Sequence, residues 1–385
     1  MTDRKDSGIE NELLPHRPLG RTGLMVSCVG LGGMGVISRT QKNVRDGVEV
    51  IITAIDSGIN FIDTARGYFD SEQITGLALQ ERPGRAYVAT KTYMRGARQA
   101  EEEIRKSLEA LQLKKIDLMQ VHHVQYEAEF EQVIGRGGAM EALRSYQKQG
   151  LIDFIGVSSH NPRILPQILE SDIFDTVQFP FNPIETEHYE KVKDVVGRRN
   201  IGTIIMKPLA GGNLKSVDKA LRFILGHPVS TVIPGCITPD QVRQCVQAGY
   251  GLGEMTEEER AQLLEEARSL PERFCRRCRY CEGECSRQIP ISDVFRCENY
   301  LIFSATYARD EYRGLSRHFN DCISCGKCEK ICPYQLPVRQ MLKRAHHRLT
   351  RGWLEDAAVK VLRKAGLYDA ARKIYFALGG KIPER

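Results

Sequence analysis

The segments CRRCRYCEGEC (275–285) and CISCGKCEKICP (322–333) repeat one cysteine spacing. In each segment, intervals of two, two and three residues separate four cysteines. Eight of the twelve cysteines in the chain belong to this repeated pattern. The pattern therefore decides the architecture of the C-terminal part of the protein.

This spacing is typical of two [4Fe–4S] clusters bound as in bacterial ferredoxins, where three cysteines of a run hold one cluster and the fourth holds the other. Pro333 follows the last cysteine as that pattern requires, whereas Ser286 occupies the matching place in the first copy. The crossed arrangement predicts that the ligands of cluster one are Cys275, Cys278, Cys281 and Cys332. It predicts that the ligands of cluster two are Cys322, Cys325, Cys328 and Cys285.

Two other uses of cysteine are alternatives. Structural zinc takes four thiolates from two separated pairs and does not need three cysteines in one tight turn. Disulfides require an oxidising compartment, and the charged N-terminus lacks the apolar segment of an export signal. No run approaches about 18 apolar residues. The sequence therefore predicts a cytoplasmic protein without a transmembrane segment.

The chain has 385 residues, 42% hydrophobic and 27% charged, which is typical of a soluble protein with one large and one small domain. Its net charge of +6 is concentrated in Tyr334–Arg385, which has twelve basic and four acidic residues. This basic end is expected to be a helix on the barrel with a solvated face, or a docking surface for an acidic redox partner such as a ferredoxin, or for an anionic membrane. No recognition motif supports nucleic-acid binding.

Short apolar runs alternate with amphipathic helical segments over residues 16–255. The helical segments include Val44–Ser57, Ala97–Leu111, Met140–Gln149, Glu187–Val196 and Lys219–Leu225. The eight predicted strands are Cys28–Gly32, Asn60–Asp63, Ala86–Lys91, Asp117–His122, Phe154–Ser158, Thr176–Phe179, Thr203–Lys207 and Ser230–Pro234. Eight such units predict an α/β fold, a closed (β/α)₈ TIM barrel. The segment GLGGMG (30–35) also matches the Rossmann dinucleotide motif, but no helix signal follows it directly.

Four polar residues stand at the ends of these strands or just beyond them: Asp63, Tyr68, Lys91 and His122. A (β/α)₈ barrel carries its chemistry at this end of its strands. A charged group beside a core is costly unless it is paired, so Asp63 and Lys91 are expected to form an ion pair. A cation beside Tyr68 lowers the pKa of its phenol and favours proton exchange near neutral pH. Taken singly, each residue also has a structural explanation, such as a helix cap for Asp63.

These residues belong to a series of motifs that resembles the aldo-keto reductase superfamily. The series comprises LGRTG (19–23), DTARGY (63–68), SE (71–72), TK (90–91), DL (117–118) before His122, and GVS (156–158). The resemblance implies a catalytic tetrad in which Tyr68 protonates a carbonyl oxygen as hydride arrives. Lys91 and Asp63 tune Tyr68, and His122 orients the carbonyl. His123 and His160 are expected near the substrate.

The same resemblance implies a nicotinamide cofactor, NADH or NADPH. Ser159 replaces the family's usual asparagine, and Met206 replaces an aromatic residue that stacks on the nicotinamide ring. Gly235 and Gln241 stand where basic residues often hold the adenosine phosphate, and Arg243 is a candidate replacement. The implied cofactor-binding residues are Gly33, Met34, Ser158, Ser159, Gln178, Met206, Lys207, Pro208, Leu209, Ile233, Gly235, Gln241 and Gln244.

The segment TEEE (256–259) predicts a capping box that begins a linker helix, which Pro271 ends. Ser292–Thr306, between the cysteine runs, is also predicted to be helical. Four cysteines lie outside the pattern and are expected to be small buried hydrophobes: Cys28, Cys236, Cys245 and Cys297. The predicted organisation is an N-terminal arm (1–15), the barrel (16–255), the linker helix (256–271), a two-cluster ferredoxin-like domain (272–345) and a basic helical tail (346–385).

This combination predicts an iron–sulfur-dependent oxidoreductase of the aldo-keto reductase type that reduces a carbonyl or related group, or oxidises the product in reverse. Nicotinamide releases two electrons together as hydride, whereas each cluster passes one. A flavin or a substrate that accepts single electrons must therefore stand between them, or the clusters serve a separate partner. The alternative function is an electron-transfer protein whose barrel is a non-catalytic docking or binding module. Departures such as Ser159 and Met206 favour that alternative, and the intact tetrad opposes it.

Overall fold

The structure is a computed structural model that describes residues 14–37, 44–269, 274–301 and 305–351. The chain divides into two compact units, Met1–Leu270 and Pro271–Arg385. Most of the predicted N-terminal arm lies outside the described residues, and so does residue 352 onward of the predicted basic tail. No helix in the described ranges is long and apolar enough to span a membrane.

The first unit is built on an eight-stranded parallel sheet in which each strand pairs with its neighbours in chain order. The strands are β3 (Leu31–Gly32), β4 (Phe61–Asp63), β5 (Tyr87–Thr92), β6 (Ile116–Val121), β7 (Ile152–Ser158), β8 (Thr176–Pro180), β9 (Gly202–Met206) and β10 (Thr231–Ile233). The backbone N–H of Gly30 donates to Val232 at 2.8 Å, and that of Val232 donates to Cys28 at 3.0 Å. These bonds join the last strand to the chain that enters the first. The predicted (β/α)₈ barrel is therefore confirmed.

A short antiparallel hairpin precedes the barrel and was not predicted. It pairs β1 (His16–Pro18) with β2 (Met25–Ser27). Arg17 donates to the carbonyl oxygens of Leu225 and Val229, and Leu19 packs where β9 begins. The hairpin therefore covers the N-terminal end of the barrel. Strands of three residues are too short to show the alternation by which a strand is predicted.

Helices surround the barrel strands. They are α1 (Val44–Asp56), α2 (Ser71–Glu81), α3 (Ala97–Leu111), α4 (Glu127–Ile134), α5 (Ala139–Lys148), α6 (Leu165–Glu170), α7 (Glu187–Arg199), α8 (Val217–Leu225), α9 (Pro239–Tyr250) and α10 (Glu257–Ser269). In α10 the predicted capping box is present, since Thr256 Oγ1 accepts from the Glu259 N–H at 3.1 Å and Glu259 Oε2 accepts from the Thr256 N–H at 3.0 Å. Arg222 of α8 pairs with Glu259 at 2.6 Å, which anchors α10 on the barrel unit.

The second unit is helical. Its elements are α11 (Tyr280–Gly283), α12 (Ile291–Tyr300), α13 (Ala305–Arg313), α14 (Lys327–Lys330) and α15 (Val338–Thr350). Buried apolar residues of α12 and α15, among them Val294, Phe295, Met341 and Leu342, form its core. The predicted helix Ser292–Thr306 contains most of α12 and the first residues of α13. Cys297 is fully buried in this core, as expected for a cysteine outside the repeated pattern.

Candidate active site and iron–sulfur centres

Asp63 and Lys91 form a buried ion pair at the C-terminal ends of β4 and β5. Lys91 Nζ lies 2.5 Å from Asp63 Oδ1 and 2.8 Å from the carbonyl oxygen of Thr64, and the lysine side chain is 0% exposed. Burial lowers the pKa of Lys91, and the carboxylate of Asp63 opposes this shift because it stabilises the ammonium form. The pair places a cation inside the mouth of the barrel at a position where water does not screen it.

Tyr68 and His122 lie beside this pair. The Nζ of Lys91 is 4.9 Å from the centroid of the Tyr68 ring. The His122 ring meets the Tyr68 ring edge-on, with the centroids 5.6 Å apart. Asp63, Tyr68, Lys91 and His122 come from three different strand ends, and the fold brings them into one group. The arrangement can deliver a proton from a phenol whose ionised form is stabilised by a neighbouring ammonium.

The loop that carries Tyr68, between β4 and α2, is anchored by a buried carboxylate. Glu72 is 1% exposed, and its side chain lies 2.5 Å from the guanidinium of Arg66 in the same loop. The hydroxyl of Thr90 in β5 donates to the other oxygen of Glu72 at 2.7 Å. The backbone N–H of Tyr68 also donates to Ala65 at 2.9 Å, which closes a tight turn. These contacts hold Tyr68 in place relative to Lys91.

Two residues that the sequence interpretation missed support the group. Gln120 donates to Asp63 Oδ2 at 3.0 Å, and it pairs in register with Lys91 across β5 and β6. Tyr93 stacks on His122 with centroids 4.0 Å apart and ring planes 26° apart. A signal for Gln120 existed, since a lone amide in the apolar run LMQV (118–121) must find a partner when it is buried. Nothing in the sequence pattern indicated Tyr93.

Gly67 provides a test of this support. A Cβ atom at Gly67 would lie 2.5 Å from Cε2 of Tyr93, so the alanine variant must displace the ring that stacks on His122. We expect Gly67→Ala to lower kcat of the oxidoreductase reaction predicted for this site on the order of tenfold to a hundredfold, because small misplacements of catalytic groups are costly. Steady-state kinetics with a nucleotide and an aldehyde probe would measure this.

The control is Gly197→Ala in α7, where an added Cβ has no atom within 4 Å. This variant should keep the parental kcat. Equal kinetics of the Gly67→Ala and Gly197→Ala proteins would show that the Tyr93 and His122 stack does not position the reacting groups.

The residues predicted to hold the nicotinamide amide are neighbours at the ends of β7 and β8. Ser158 and Gln178 are paired in register, and both are 2% exposed. The Ser158 hydroxyl accepts from the backbone N–H of His123 at 2.9 Å. The Ser159 hydroxyl accepts from the backbone N–H of Asn161 at 3.0 Å. Both hydroxyls thus also order the loops that follow β6 and β7.

The glycines that follow β3 are explained by the packing of loops in the barrel. Residues Gly33–Gly35, which include Met34, form one 3₁₀ turn. A Cβ atom on Gly35 would overlap the carbonyl group of Cys236 in the loop after β10, so this glycine permits close packing of two loops. The alternative of a Rossmann fold is wrong, because these glycines join the first barrel strand to α1.

The loop after β10 leads into α9 as expected. Gln241 lies in the first turn of α9, and its side chain accepts a hydrogen bond from the backbone N–H of Ile237 in the loop at 2.8 Å. The Thr238 hydroxyl caps the helix by accepting from the backbone N–H of Gln241. Arg243 pairs with Asp240 of the same helix at 2.6 Å, and both side chains are exposed. Such an exposed pair is weak, so it does not prevent Arg243 from meeting a phosphate. Gln244 and Gly235 belong to the same loop and helix.

Three basic side chains lie next to His122, in the loops that follow β6, β7 and β9. Lys207, which follows Met206 and precedes Pro208 and Leu209, places its Nζ 3.4 Å from Nδ1 of His160. The rings of His160 and His123 are 5.2 Å apart, and those of His123 and His122 are 6.4 Å apart. His123 and Lys207 both have a positive φ, which is uncommon outside glycine and frequent at functional sites. Lys207, His160 and His123 therefore form one group of basic side chains at the mouth of the barrel.

The two cysteine loops have the same backbone conformation. In each, the second residue after the first cysteine has a positive φ and donates its N–H to that cysteine sulfur at 3.4 Å: Arg277 to Cys275, and Ser324 to Cys322. The fourth residue is also left-handed, Arg279 in one loop and Gly326 in the other, and helices α11 and α14 then begin at the matching residue. The sequence repeat is thus a structural repeat.

The thiols predicted for cluster one are neighbours. Burial raises the pKa of Cys275 to about 12, and the sulfurs of Cys278 and Cys332 add to this shift. Burial also raises the pKa of Cys281, which has Cys275 and Cys278 as neighbours and lies near Cys328 as well. Cys332 comes from the second run but is close enough to Cys275 in the first run to affect its pKa, which agrees with the crossed ligand set.

The thiols predicted for cluster two line one cavity. Burial raises the pKa of Cys328 to about 11, and Cys322 and Cys285 contribute to the shift. Four thiols line this cavity, which is the number that a [4Fe–4S] cluster takes. Among the described residues, no three His, Cys, Asp or Glu side chains are close enough together to hold a single metal ion. The cavity is lined by Cys285, Ser286, Arg287, Ile289, Ile291, Cys322, Ile323, Cys325, Gly326, Lys327, Cys328, Arg339 and Leu342.

Comparison with known families decides the identity of both units. The profile of the aldo/keto reductase family matches residues 28–219, and that of the 4Fe-4S dicluster domain matches residues 274–337. Residues 28–219 are an aldo/keto reductase domain. The dicluster match covers all eight cysteines of the repeat, so it supports iron–sulfur clusters over zinc and disulfides.

Characterised and uncharacterised oxidoreductases resemble the aldo/keto reductase domain. The chain is 27% identical to the uncharacterized oxidoreductase YqkF of Bacillus subtilis, over 63% of this chain and 93% of that protein. It is 30% identical to the aldo-keto reductase YhdN of the same organism, over 52% and 64%. It is 27% identical to L-galactose dehydrogenase of Arabidopsis thaliana, over 66% and 95%. The chain is an aldo-keto reductase-like oxidoreductase with a dicluster domain.

Solved structures show the same fold. The aldo-keto reductase AKR11C1 from Bacillus halodurans, in its holo form, superposes with a TM-score of 0.57 at 23% identity, over 66% of this chain and 96% of that one. A putative aldo-keto reductase from Pseudomonas aeruginosa has the same TM-score at 24% identity, over 63% and 98%. These matches cover the aldo/keto reductase domain and support the barrel assignment.

Proposed function

We propose that the protein reduces a carbonyl or related group at the mouth of the barrel, with Tyr68 as the proton donor and NAD(P)H as the hydride source, and that two [4Fe–4S] clusters exchange electrons with this chemistry. The observation that carries the proposal is the position of the Lys91 ammonium, 4.9 Å from the Tyr68 ring and 2.5 Å from Asp63. Burying the Lys91 ammonium beside a tyrosine ring with one carboxylate as its partner has a desolvation cost. This placement is explained if the ammonium stabilises the Tyr68 phenolate during turnover.

Each side chain of the group has a distinct role. Tyr68 gives its proton to the carbonyl oxygen, and Lys91 stabilises the phenolate that remains. Asp63 keeps Lys91 charged despite its burial, and Gln120 holds the second carboxylate oxygen. His122 lies at the edge of the Tyr68 ring and orients the carbonyl, while Tyr93 fixes the imidazole plane. Bound NAD(P)H supplies the hydride.

Some of the residues predicted to bind the nicotinamide nucleotide are placed as binding requires. Ser158 and Gln178 lie together at the end of the strands, and the loop after β10 leads into the N-terminus of α9. A helix N-terminus of this kind favours a phosphate group. We infer that Arg243 and this helix hold the adenosine end of the nucleotide.

The clusters pass single electrons, whereas nicotinamide passes a hydride. We infer that a flavin or a substrate that tolerates single electrons connects the two kinds of chemistry. Denaturing the anaerobically purified protein and identifying any released flavin or nucleotide would decide between these connections. Release of a flavin would identify it as the link.

Tyr68→Phe tests the proposal. The variant keeps the ring and its contact with Lys91 but lacks the proton, so we expect kcat for carbonyl reduction to fall about 10²–10⁴-fold while KM changes little. The assay follows nucleotide oxidation with an aldehyde probe in cluster-loaded protein. Iron content and the visible spectrum should be unchanged.

Unchanged turnover in Tyr68→Phe would refute the proton-donor role. The competing function is an electron-transfer protein whose barrel does no chemistry. It predicts that reduced ferredoxin bleaches the clusters while NADH and NADPH react with no carbonyl compound. Nucleotide oxidation that depends on the carbonyl compound and is lost in Tyr68→Phe excludes this competing function.

A further inference from the structure

The surface around cluster two combines an exposed ligand thiol with exposed apolar side chains. Cys325 is exposed, whereas the other predicted ligands are buried or half-buried. Ile323, two residues earlier, is 60% exposed and is the most exposed large apolar side chain that the structure describes. Ile331, just after α14, is 44% exposed. An electron carrier must approach the cluster closely, and these exposed apolar side chains lie beside a thiol that is predicted to bind it.

The same surface is basic. Among the described residues, all charged side chains that line the cluster-two cavity are cationic: Arg287, Lys327 and Arg339. Glu329 neutralises Arg339 through a bond of 2.6 Å, which leaves Arg287 and Lys327 at the cavity, and Lys330 is exposed on the same short helix. Asp321, in the turn before Cys322, uses its carboxylate to cap the backbone N–H of His318 at 2.8 Å. The local charge is therefore positive.

The loop of cluster one has a different character. Arg277 and Arg279 are each 6% exposed, and Arg279 is paired with Glu282 at 2.8 Å and with Asp293 at 3.1 Å. Its cations are therefore part of the folded interior, and Cys278, which matches Cys325, is half-buried. The two repeats share a backbone but present different surfaces. The difference lies in the side chains at matching positions, and it makes cluster two the accessible one.

We propose that the surface formed by Ile323, Cys325, Lys327, Lys330, Ile331 and Arg287 is the docking site of an acidic one-electron carrier protein, and that electrons enter or leave the protein through cluster two. The proposal rests on the proposed electron-transfer role of the clusters. An acidic carrier complements the local positive charge, which speeds encounter, and the two isoleucines supply the dry contact at the centre. One electron passes between the carrier and cluster two, so one is oxidised and the other reduced by one electron, and no bond is made or broken.

Lys327→Glu tests the docking site in the full, cluster-loaded chain. The probe is a purified acidic [4Fe–4S] ferredoxin, reduced and freed of excess reductant, mixed in a stopped-flow instrument without any carbonyl compound. At about 0.01 M salt, where charges act over about 30 Å, we expect the second-order rate of cluster bleaching to fall about tenfold in the variant. At about 1 M salt the variant and the parent should react equally. Binding of oxidised ferredoxin, measured by calorimetry, should weaken in parallel.

Three comparisons keep the result specific. Lys148→Glu, on exposed α5 of the barrel, changes the net charge equally and should keep the parental rate. Ile323→Asp should slow bleaching at both salt concentrations, because it removes the apolar contact. The double variant Arg363→Gln/Lys364→Gln, in the basic C-terminal segment, should also keep the parental rate. A loss of salt dependence in that double variant, or a parental rate in Lys327→Glu, would overturn the proposal.

The experiment separates this proposal from the broader one. If a chemical reductant does not bleach the clusters at all, the proposed electron-transfer function fails. If the chemical reductant bleaches the clusters and the ferredoxin reacts equally with parent and Lys327→Glu protein, the docking site alone fails.

Discussion

Lys91→Met is expected to lower the free energy of unfolding of the barrel by about 3–5 kcal/mol, because it leaves the carboxylate of Asp63 buried without a counter-ion. The double variant Asp63→Asn/Lys91→Met removes both charges and should recover most of this loss. Neither variant should catalyse the proposed carbonyl reduction, since the cation beside Tyr68 is absent from both. Stability and activity are therefore expected to separate in the double variant.

The measurement must report on the barrel unit. The single tryptophan, Trp353, lies outside the described residues, so hydrogen exchange of peptides from β4, β5 and β6 is the suitable readout. Lys106→Met is the matched control: Lys106 pairs with Glu102 at 2.6 Å, but both side chains are about half exposed. We expect that control to cost less than about 1 kcal/mol. Equal losses in the two lysine variants would contradict the importance of burial.

Pairs of cysteine substitutions are expected to reveal which cysteines share a cluster. The parent should contain about eight iron atoms. If ligation is crossed, Cys275→Ala/Cys332→Ala damages one cluster and should keep about four iron atoms, whereas Cys328→Ala/Cys332→Ala damages both and should keep almost none. Ligation within each run predicts the reverse for the two pairs. Anaerobic iron and sulfide analysis distinguishes these outcomes.

The control for iron content is Cys297→Ala. Cys297 is fully buried in the core of the second unit and lies outside the repeated spacing. Its alanine variant should keep about eight iron atoms. A loss of four iron atoms in Cys297→Ala would show that substitution in this core is itself sufficient to expel a cluster, and the double variants would then need to be judged against that loss.

The barrel could be predicted from the sequence because parallel strands are buried on both faces and appear as continuous apolar runs.

The helix α2 was not predicted because its buried face contains polar residues. It buries Ser71, Glu72 and Thr75 along with apolar residues, so its pattern shows no clean division into an apolar and a polar face. The tertiary contacts of these polar groups, such as the pair of Glu72 with Arg66, do not appear in a local pattern.

The candidate site was predictable where a motif carried it. Asp63, Tyr68, Lys91 and His122 were named from strand ends and a family resemblance, and the fold places them together. Their supporting residues depend on packing between distant strands, so no motif named Tyr93. For the cysteines, the spacing predicted the repeat, whereas the matching left-handed residues appear only in the folded chain.

Arg279 has a consequence for how the first cysteine loop can vary. Its backbone occupies a left-handed conformation that suits glycine, as Gly326 shows at the matching position. A glycine at 279 would relax the backbone by about 1 kcal/mol. It would also strip Glu282 and Asp293, each less than 15% exposed, of the guanidinium that they share. Burial already raises the pKa of Glu282, so the exchange would leave this buried acid without its ion-pair partner, while Asp293 would keep its pair with Arg296 at 3.1 Å. Electrostatics, and not conformational preference, therefore restricts this position to arginine.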